Sequence, residues 1–158
     1  MSTTFKTLLA QVESQYTLLC RARLRAVYEK PHRKHIPNEP GVYVLYENGD
    51  ALYVGRTEDI RRRLGEHSLP GSDQYAANLA IAVARRETCS PADYTRETSA
   101  GYLLKNNPQF QAAFSQAKAR IGRMRVRYTV EPDPDSRYLL VFYTAKELPT
   151  RYNTFGEP

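Results

Sequence analysis

The sequence predicts an α+β fold: a small three-stranded antiparallel sheet flanked by helices, with an N-terminal helical extension and a helical insertion. The first observation is a hairpin, in which two runs of β-branched and aromatic residues, 42–46 and 52–54, flank the turn dipeptide Asn48-Gly49. The second is the order of the other segments. Helical patterns precede and follow the hairpin without alternating regularly with strands, which favours an antiparallel layer over a doubly wound parallel sheet.

Length and composition limit the class of protein. A chain of 158 residues with 41% hydrophobic and 25% charged residues can form a packed core, which excludes wholesale disorder. No run approaches the roughly 18 apolar residues of a membrane helix, and the start has no secretory signal pattern. Cys20 and Cys89 form neither a disulfide framework nor a zinc-binding pair. We therefore expect a cytoplasmic protein that is neither a secreted scaffold nor a zinc finger and has no membrane partner.

The N-terminal segment has the pattern of an amphipathic helix. Apolar residues recur at three- and four-residue steps from Thr4 to about Lys30, and a basic, proline-containing connector follows. Residues 1–38 are therefore interpreted as an N-terminal helix and basic linker. The simpler expectation is that this helix packs on the domain's own core. The alternative is a regulatory subunit whose helix docks on a partner protein, and an exposed apolar stripe including Phe5 and Leu19 would favour it.

A further helix is expected directly after the hairpin. Thr57 is a suitable N-cap, and Glu58 and Asp59 suit the positive end of the helix dipole. Apolar residues then recur at helical spacing, and the pattern ends near His67.

Residues 39–158 are expected to form the main domain, interrupted by a helical insertion over about 70–122. Pro70-Gly71-Ser72 breaks the chain at the start of the insertion. Within it, residues 75–86 and 108–120 have helical composition, and a loop is expected between them.

Basic residues are concentrated at the end of this insertion. Lys and Arg total 23 against 17 acidic residues, a net charge of +6, and Lys118–Arg127 holds five basic residues without an acid. Residues 124–130 alternate as a half-buried strand that presents Arg125 and Arg127 outward. The balance permits a nucleic-acid partner without proving one, since a solvated strand face is the alternative.

Two tripeptides, ten residues apart on the two strands of the hairpin, are the most specific feature. Gly41-Val42-Tyr43 and Tyr53-Val54-Gly55 are followed by Arg63 and, near the end, by Tyr152-Asn153. This arrangement resembles the GIY-YIG nuclease superfamily, which includes the incision subunit of bacterial nucleotide-excision repair and intron homing endonucleases. The resemblance is close over residues 41–67 and resumes at the C-terminal end.

The resemblance implies a catalytic set of five residues. Tyr43 would act as general base or orient water, Tyr53 would assist it and bind phosphate, and Arg63 would offer a planar fork of donors to the scissile phosphate. His67, one helical turn beyond Arg63, would be a base or a phosphate ligand, and Asn153 would hold the site together or contact the phosphate. Because a free phenol has a pKa near 10, either neighbouring cations lower the pKa of Tyr43 or Tyr43 relays a proton.

Other arginines are expected to bind flanking phosphates of a nucleic acid. Arg56 directly follows the second tripeptide, and the remaining candidates come from the helix after it and from the later strand: Arg61, Arg62, Arg125 and Arg127.

One position departs from the family pattern. Asp135 or Ser136 can cap a last helix that runs to about Leu148, and family nucleases carry a metal-binding glutamate on this helix, twelve residues before the closing asparagine. Val141 stands there, and an isopropyl group cannot coordinate Mg²⁺.

Three explanations for Val141 stay open. The alignment of the last helix is shifted and an acid elsewhere completes the site, with Glu147, Glu66 and Asp133 as candidates. The chain is a degenerate member that binds nucleic acid without cleaving it. Or Val141 is an introduced replacement.

The sequence therefore predicts a GIY-YIG-type nuclease-like protein. If it is active, it hydrolyses DNA phosphodiester bonds with Mg²⁺ or Mn²⁺. The alternative is a catalytically degenerate module that binds nucleic acid or a partner protein without cleaving. The sequence does not indicate which form of DNA it binds.

Overall fold

A computed structural model describes residues 4–27, 35–93 and 95–153 of the chain. It is an α+β structure with an antiparallel sheet and helices against it, which confirms the predicted class. In chain order the elements are α1 (Phe5–Arg21), β1 (Arg25–Ala26), β2 (Gly41–Glu47), β3 (Asp50–Thr57), α2 (Ile60–Ser68), α3 (Asn78–Glu87), α4 (Ala100–Asn106), α5 (Pro108–Gly122), β4 (Arg125–Val130) and α6 (Pro134–Glu147). Within these three ranges, no helix is both long and apolar enough to cross a membrane.

The sheet has four strands in the order β1-β4-β2-β3, one more than predicted. The additional strand is β1, which pairs Arg25 with Val126 of β4. The N-terminal helix was predicted to continue to about Lys30, but α1 ends at Arg21 because Ala22 takes an extended conformation. A strand of two residues carries too few positions to show a period of two. The end of the predicted helix and most of its basic connector, residues 28–34, lie outside the described residues.

The hairpin turn forms where the Asn-Gly dipeptide predicted it. Asn48 and Gly49 both have positive φ angles, 53° and 90°, the backbone that a two-residue turn between twisted strands requires. The antiparallel register that follows pairs Tyr43 with Gly55 and Leu45 with Tyr53.

Helices α1 and α6 cover one face of the sheet. They bury a hydrophobic cluster with Val42, Val44 and Val54 from the strands. Val12 and Leu19 of α1 are completely buried in it, whereas Phe5 is 64% exposed. Most of the stripe that would support docking of α1 on a partner protein is therefore used in this chain's own core. By the alternation of side chains along a strand, Tyr43 and Tyr53 point to the other face.

The described residues fall into two compact units. One consists of those up to residue 63 and from residue 124 onward and contains the sheet, and the other consists of those between residues 64 and 123. In the second unit α3 and α4 pack on α5. Helix α3 starts later than predicted because the Asp73 carboxylate accepts from the Tyr75 and Ala76 N–H groups and holds a turn there. Helix α4 was not predicted, although Ser99 caps it by accepting from the Tyr102 N–H.

Candidate functional site

The two tyrosines of the hairpin lie together on the face of the sheet opposite α1 and α6. Tyr43 and Tyr53 are diagonal neighbours on β2 and β3, with ring centroids 6.2 Å apart and planes at 51°. Tyr43 is completely buried, and Tyr53 is half-buried. A Cβ atom built on Gly55 would lie 2.4 Å from the Tyr43 hydroxyl oxygen. The absence of a side chain at Gly55 is therefore what gives the Tyr43 hydroxyl its place against β3.

Arg63 joins these tyrosines from the first turns of α2. It donates a hydrogen bond to Tyr43, and the Tyr43 and Tyr53 hydroxyls are hydrogen-bonded to each other. The three side chains therefore form a chain of hydrogen bonds with the buried phenol of Tyr43 in the middle. Arg63 and Tyr53, at its two ends, are both half-buried.

The pKa directions decide between the two roles left open for Tyr43. Burial raises the pKa of Tyr43 well above its usual value, and this outweighs the opposing effect of Arg63. Burial also raises the pKa of Tyr53, against the lowering effect of the Arg63 and Arg56 charges and of the hydrogen bond from Tyr43. Both phenols are therefore protonated at neutral pH. These directions favour hydrogen bonding or proton relay by Tyr43 over a base formed by cation-lowered ionisation.

Arg63 is positioned by the way α2 begins. The cap is Asp59 and not Thr57 as predicted, because the Asp59 carboxylate accepts from the Arg62 N–H at 2.9 Å. Thr57 supports it by accepting from the Asp59 N–H at 3.1 Å. The Ile60 N–H donates to the Glu39 carbonyl at 3.1 Å, which ties the start of α2 to the segment before β2.

Asn153 is bound to the backbone of β3 between Tyr53 and Gly55. Its Oδ1 accepts from the Val54 N–H at 2.7 Å, and its Nδ2 donates to the Val54 carbonyl at 2.9 Å. Both contacts agree with the expected role of Asn153 in holding the site together. The amide keeps a second N–H donor, so contact with a phosphate stays a prediction.

The other predicted residues of α2 have different environments. His67 lies one turn after Arg63 and its side chain is completely buried. Arg61 Nε donates to the Ile36 carbonyl at 2.5 Å, which gives it a structural role. Arg62 is exposed.

The arginines of β4 do not join the tyrosines. Arg127 pairs with Val44 in the ladder and so lies on the α1–α6 face, where its guanidinium is 5.3 Å from the Tyr46 ring centre. Arg125 donates to the Leu24 carbonyl at 3.1 Å. Alternation along β4 was predicted, but it does not reveal which face carries the site.

The basic stretch predicted from Lys118 to Arg127 is not a row of exposed charges. Lys118 is buried, and its Nζ donates to the Pro70 and Ser72 carbonyls at 2.6 and 3.0 Å. Arg120 forms an ion pair with Glu87 at 3.0 Å.

Arg56 acts on the tyrosine cluster only through its charge. It pairs with Val42 in the ladder and so lies exposed on the α6 face of β3, and its charge acts on Tyr53 on the other face. Its guanidinium lies 3.5 Å from the centre of the Tyr138 ring on α6. Sequence reasoning missed Tyr138, for which the only signal is its spacing of four residues from Phe142 on the same helix.

The residues at the expected metal position do not fit a divalent cation. Val141 is half-buried and packs against the hydrophobic cluster under α1 and α6. Among the described residues no group of three or more His, Cys, Asp or Glu side chains could hold a metal ion. Asp133 caps α6 by accepting from the Asp135 N–H at 2.8 Å. Glu147 acts electrostatically on Tyr16 and Tyr143, whose rings are in contact between α1 and α6. Neither acid takes the place of the missing carboxylate.

Glu66, the third candidate, is half-buried on α2, one helical turn after Arg63. Two further acids have hydrogen-bond or ion-pair partners of their own. Glu131 is buried and accepts from Ser136 Oγ at 3.0 Å, and Glu58 pairs with the buried Arg137 at 2.5 Å.

Comparison with known proteins agrees with the motif. The family model described as the GIY-YIG catalytic domain matches residues 39–95. UvrABC system protein C of Agrobacterium fabrum is 29% identical over 113 residues, which are 71% of this chain and 14% of that protein. The same protein from Natronomonas pharaonis is 31% identical over 114 residues, 72% of this chain and 17% of that protein. The chain thus spans about a fifth or less of the length of the curated relatives it matches.

Solved structures give a weaker likeness. The magnesium-bound GIY-YIG N-terminal endonuclease domain of UvrC from Thermotoga maritima is 20% identical, with a TM-score of 0.40, covering 80% of this chain and 99% of that one. The match of the family model to residues 39–95 and the relatives that share it support the assignment of this chain to the GIY-YIG superfamily as a nuclease-like protein.

Proposed function

We propose that this chain is a GIY-YIG module that binds DNA through a backbone phosphate at Arg63 and Tyr53, and that it does so without a metal ion. The observation that carries the proposal is a contrast. The Tyr43–Tyr53–Arg63 cluster is retained, while Val141, at the position expected for the family's metal ligand, packs against the hydrophobic cluster.

The chemistry of the cluster suits an anion. A guanidinium offers several N–H donors in a planar fork, and a protonated phenol offers one O–H donor, which together match the oxygens of a phosphate. One N–H group of Arg63 donates to the Tyr43 hydroxyl, and the hydrogen bond between Tyr43 and Tyr53 positions the Tyr53 side chain. Tyr43 is buried and therefore positions Tyr53, while contact with phosphate falls to Tyr53 and Arg63. His67 is also buried and is assigned no phosphate contact.

Arginine side chains, and not a bound metal ion, supply the positive charge near this site. Arg56 and Arg63 both act electrostatically on the Tyr53 hydroxyl. A bound phosphate would contact the Arg63 guanidinium and feel the charge of Arg56, so its own charge is compensated in part without Mg²⁺. The exposed Arg62 is a further candidate for a flanking phosphate.

A second candidate function is hydrolysis of DNA, because the tyrosine pair and the arginine of the family's catalytic pattern are retained. Val141 stands at the expected ligand position, no group of three or more His, Cys, Asp or Glu side chains among the described residues could hold a metal ion, and burial keeps the Tyr43 phenol protonated. We therefore favour binding over cleavage. Incubation with supercoiled, linear and single-stranded DNA plus Mg²⁺ or Mn²⁺ distinguishes the two: nicking that Arg63→Ala abolishes would establish hydrolysis.

The test of binding is an anisotropy titration of labelled DNA with the wild type, Arg63→Ala and Arg21→Ala. Arg21 is an exposed arginine in the last turn of α1, so its removal lowers the net charge equally. We expect Arg63→Ala to weaken binding about tenfold, since a charge-assisted hydrogen bond contributes about 1.5–3 kcal/mol. Arg21→Ala should change it less than twofold, and binding should weaken steeply with salt as counterions are released. Equal losses for the two variants would contradict a specific phosphate site.

A further inference from the structure

Helix α6 exposes two aromatic rings one helical turn apart. Tyr138 is 57% exposed and Phe142 is 48% exposed. They are followed at the same spacing by Lys146, so the three side chains form a strip along one side of the helix. The hydrophobic cluster does not use these rings, because Leu140 contacts it with Val141 and Tyr143 from other positions of α6.

Each ring of this strip is paired with a cation. The Arg56 guanidinium lies 3.5 Å from the centre of the Tyr138 ring, and Lys146 Nζ lies 5.4 Å from the centre of the Phe142 ring. An exposed aromatic ring beside a positive charge suits a partner that has flat π-faces and negative charge together. Nucleic acid is such a partner.

The strip is linked to the proposed phosphate site through Arg56, at the edge of the sheet. Arg56 pairs with Val42 on the edge strand β3 and so lies on the α6 face, whereas Tyr53 lies on the other face. The Arg56 charge nevertheless acts on the Tyr53 hydroxyl, and the same guanidinium stacks on Tyr138. A strand with one phosphate at Tyr53 and Arg63 would pass this edge to place its neighbouring bases on α6.

We propose that Tyr138 and Phe142 form a stacking platform for unpaired bases, so that the preferred ligand is DNA with a single-stranded segment. This inference rests on the proposed function, since the phosphate site fixes the strand beside α6. Unpaired bases expose their faces to a protein ring, whereas the bases of a duplex are stacked on one another. The platform therefore discriminates between the two forms, which the phosphate contacts alone do not.

The experiment compares a labelled single strand with its duplex in anisotropy titrations that contain EDTA. Stacking on an aromatic side chain contributes about 1–3 kcal/mol per base, so Tyr138→Ala and Phe142→Ala should each weaken single-strand binding about tenfold. Duplex binding should change less than twofold. Tyr138→Phe keeps the ring and should retain the affinity. Tyr75→Ala is the matched control, because Tyr75 is 81% exposed and belongs to the other compact unit.

A second readout reports the stacking directly. The chain contains no tryptophan, so Tyr138→Trp introduces a single indole whose fluorescence can be followed alone. A single strand should quench it and the duplex should not.

The outcomes separate the two proposals. If the wild type binds neither form of DNA, the proposed function fails. If it binds DNA through Arg63 but Tyr138→Ala affects both forms equally, affects neither, or leaves the indole unquenched on Tyr138→Trp, the stacking platform alone is overturned.

Discussion

Gly55 lies directly across the β2–β3 ladder from Tyr43, and the space left by its missing side chain is filled by the Tyr43 hydroxyl. This relationship links the two tripeptides of the family motif physically. The glycine of the second tripeptide gives room to the tyrosine of the first. That tyrosine is in turn hydrogen-bonded to Tyr53 and so positions the half-buried phenol.

Substitution of Gly55 should therefore damage both the fold and the site. In Gly55→Ala the new Cβ would lie 2.4 Å from the Tyr43 hydroxyl oxygen, in a position where Tyr43 is completely buried and cannot move aside freely. We expect the free energy of unfolding to fall by about 1–3 kcal/mol, as overpacking a core does. Urea unfolding measures this. Gly71→Ala is the control, because a Cβ at Gly71 meets nothing within 4 Å; a similar loss there would contradict the explanation.

Asn153 should contribute more to stability than an ordinary surface asparagine. Asn153→Ala removes two hydrogen bonds and leaves the Val54 N–H and carbonyl without these partners. We expect a loss of about 1–3 kcal/mol in the free energy of unfolding, together with weaker DNA binding through displacement of Tyr53. Asn106→Ala removes one exposed hydrogen bond to the Tyr102 carbonyl and should cost less than 1 kcal/mol. If Asn153→Ala lowered the free energy of unfolding no more than Asn106→Ala does, the two Asn153 hydrogen bonds would have no special role in stability.

The raised pKa of Tyr43 predicts a specific loss of stability in alkali. Below about pH 10 the phenol is protonated in the folded and unfolded states, so it adds no pH dependence. Above that pH the unfolded chain releases the proton while the folded chain retains it, and stability falls as the pH rises towards the folded-state pKa. One such group contributes a slope of up to about 1.4 kcal/mol per pH unit. Urea unfolding between pH 9 and about pH 11.5 should show a shallower decline for Tyr43→Phe than for the wild type, and parallel declines would contradict the assignment.

Restoring a carboxylate tests whether Val141 alone accounts for the missing metal site. Val141→Glu should create Mn²⁺ binding that calorimetry detects, and nicking of supercoiled DNA should follow. Val141 packs partly on the hydrophobic cluster, so the variant should also lose about 1 kcal/mol of stability. Val141→Gln has the same size without the charge and should lose similar stability while gaining neither property. A folded Val141→Glu protein that binds no metal would show that other parts of the site have diverged as well.

The sequence predicted those features that short-range patterns determine. Asn48-Gly49 specified the turn, and the spacing of Tyr43, Tyr53 and Arg63 identified the cluster through the family resemblance. The predicted end of α1 was wrong because Leu24 continues the helical spacing of apolar residues, although the backbone is already extended at Ala22.

Other features depend on tertiary contacts that no local pattern reports. Burial raises the pKa of Tyr43 above its usual value. Lys118 was expected in a basic surface stretch, but it is buried and donates to two backbone carbonyls. The alternation of residues in β4 predicted that Arg127 and Val126 lie on different faces of the sheet. It could not show that the tyrosine site is on the face of Val126. The contact of Arg56 with Tyr138 joins residues far apart in the chain and was equally inaccessible.

The most direct test of the account is the affinity of the wild type for a labelled DNA strand measured in EDTA and again in Mg²⁺ at the same ionic strength. Because Arg56 and Arg63 supply the positive charge and Val141 supplies no ligand, we predict dissociation constants that agree within twofold and a strand that remains intact. Binding that is lost in EDTA and restored by Mg²⁺ would contradict the account.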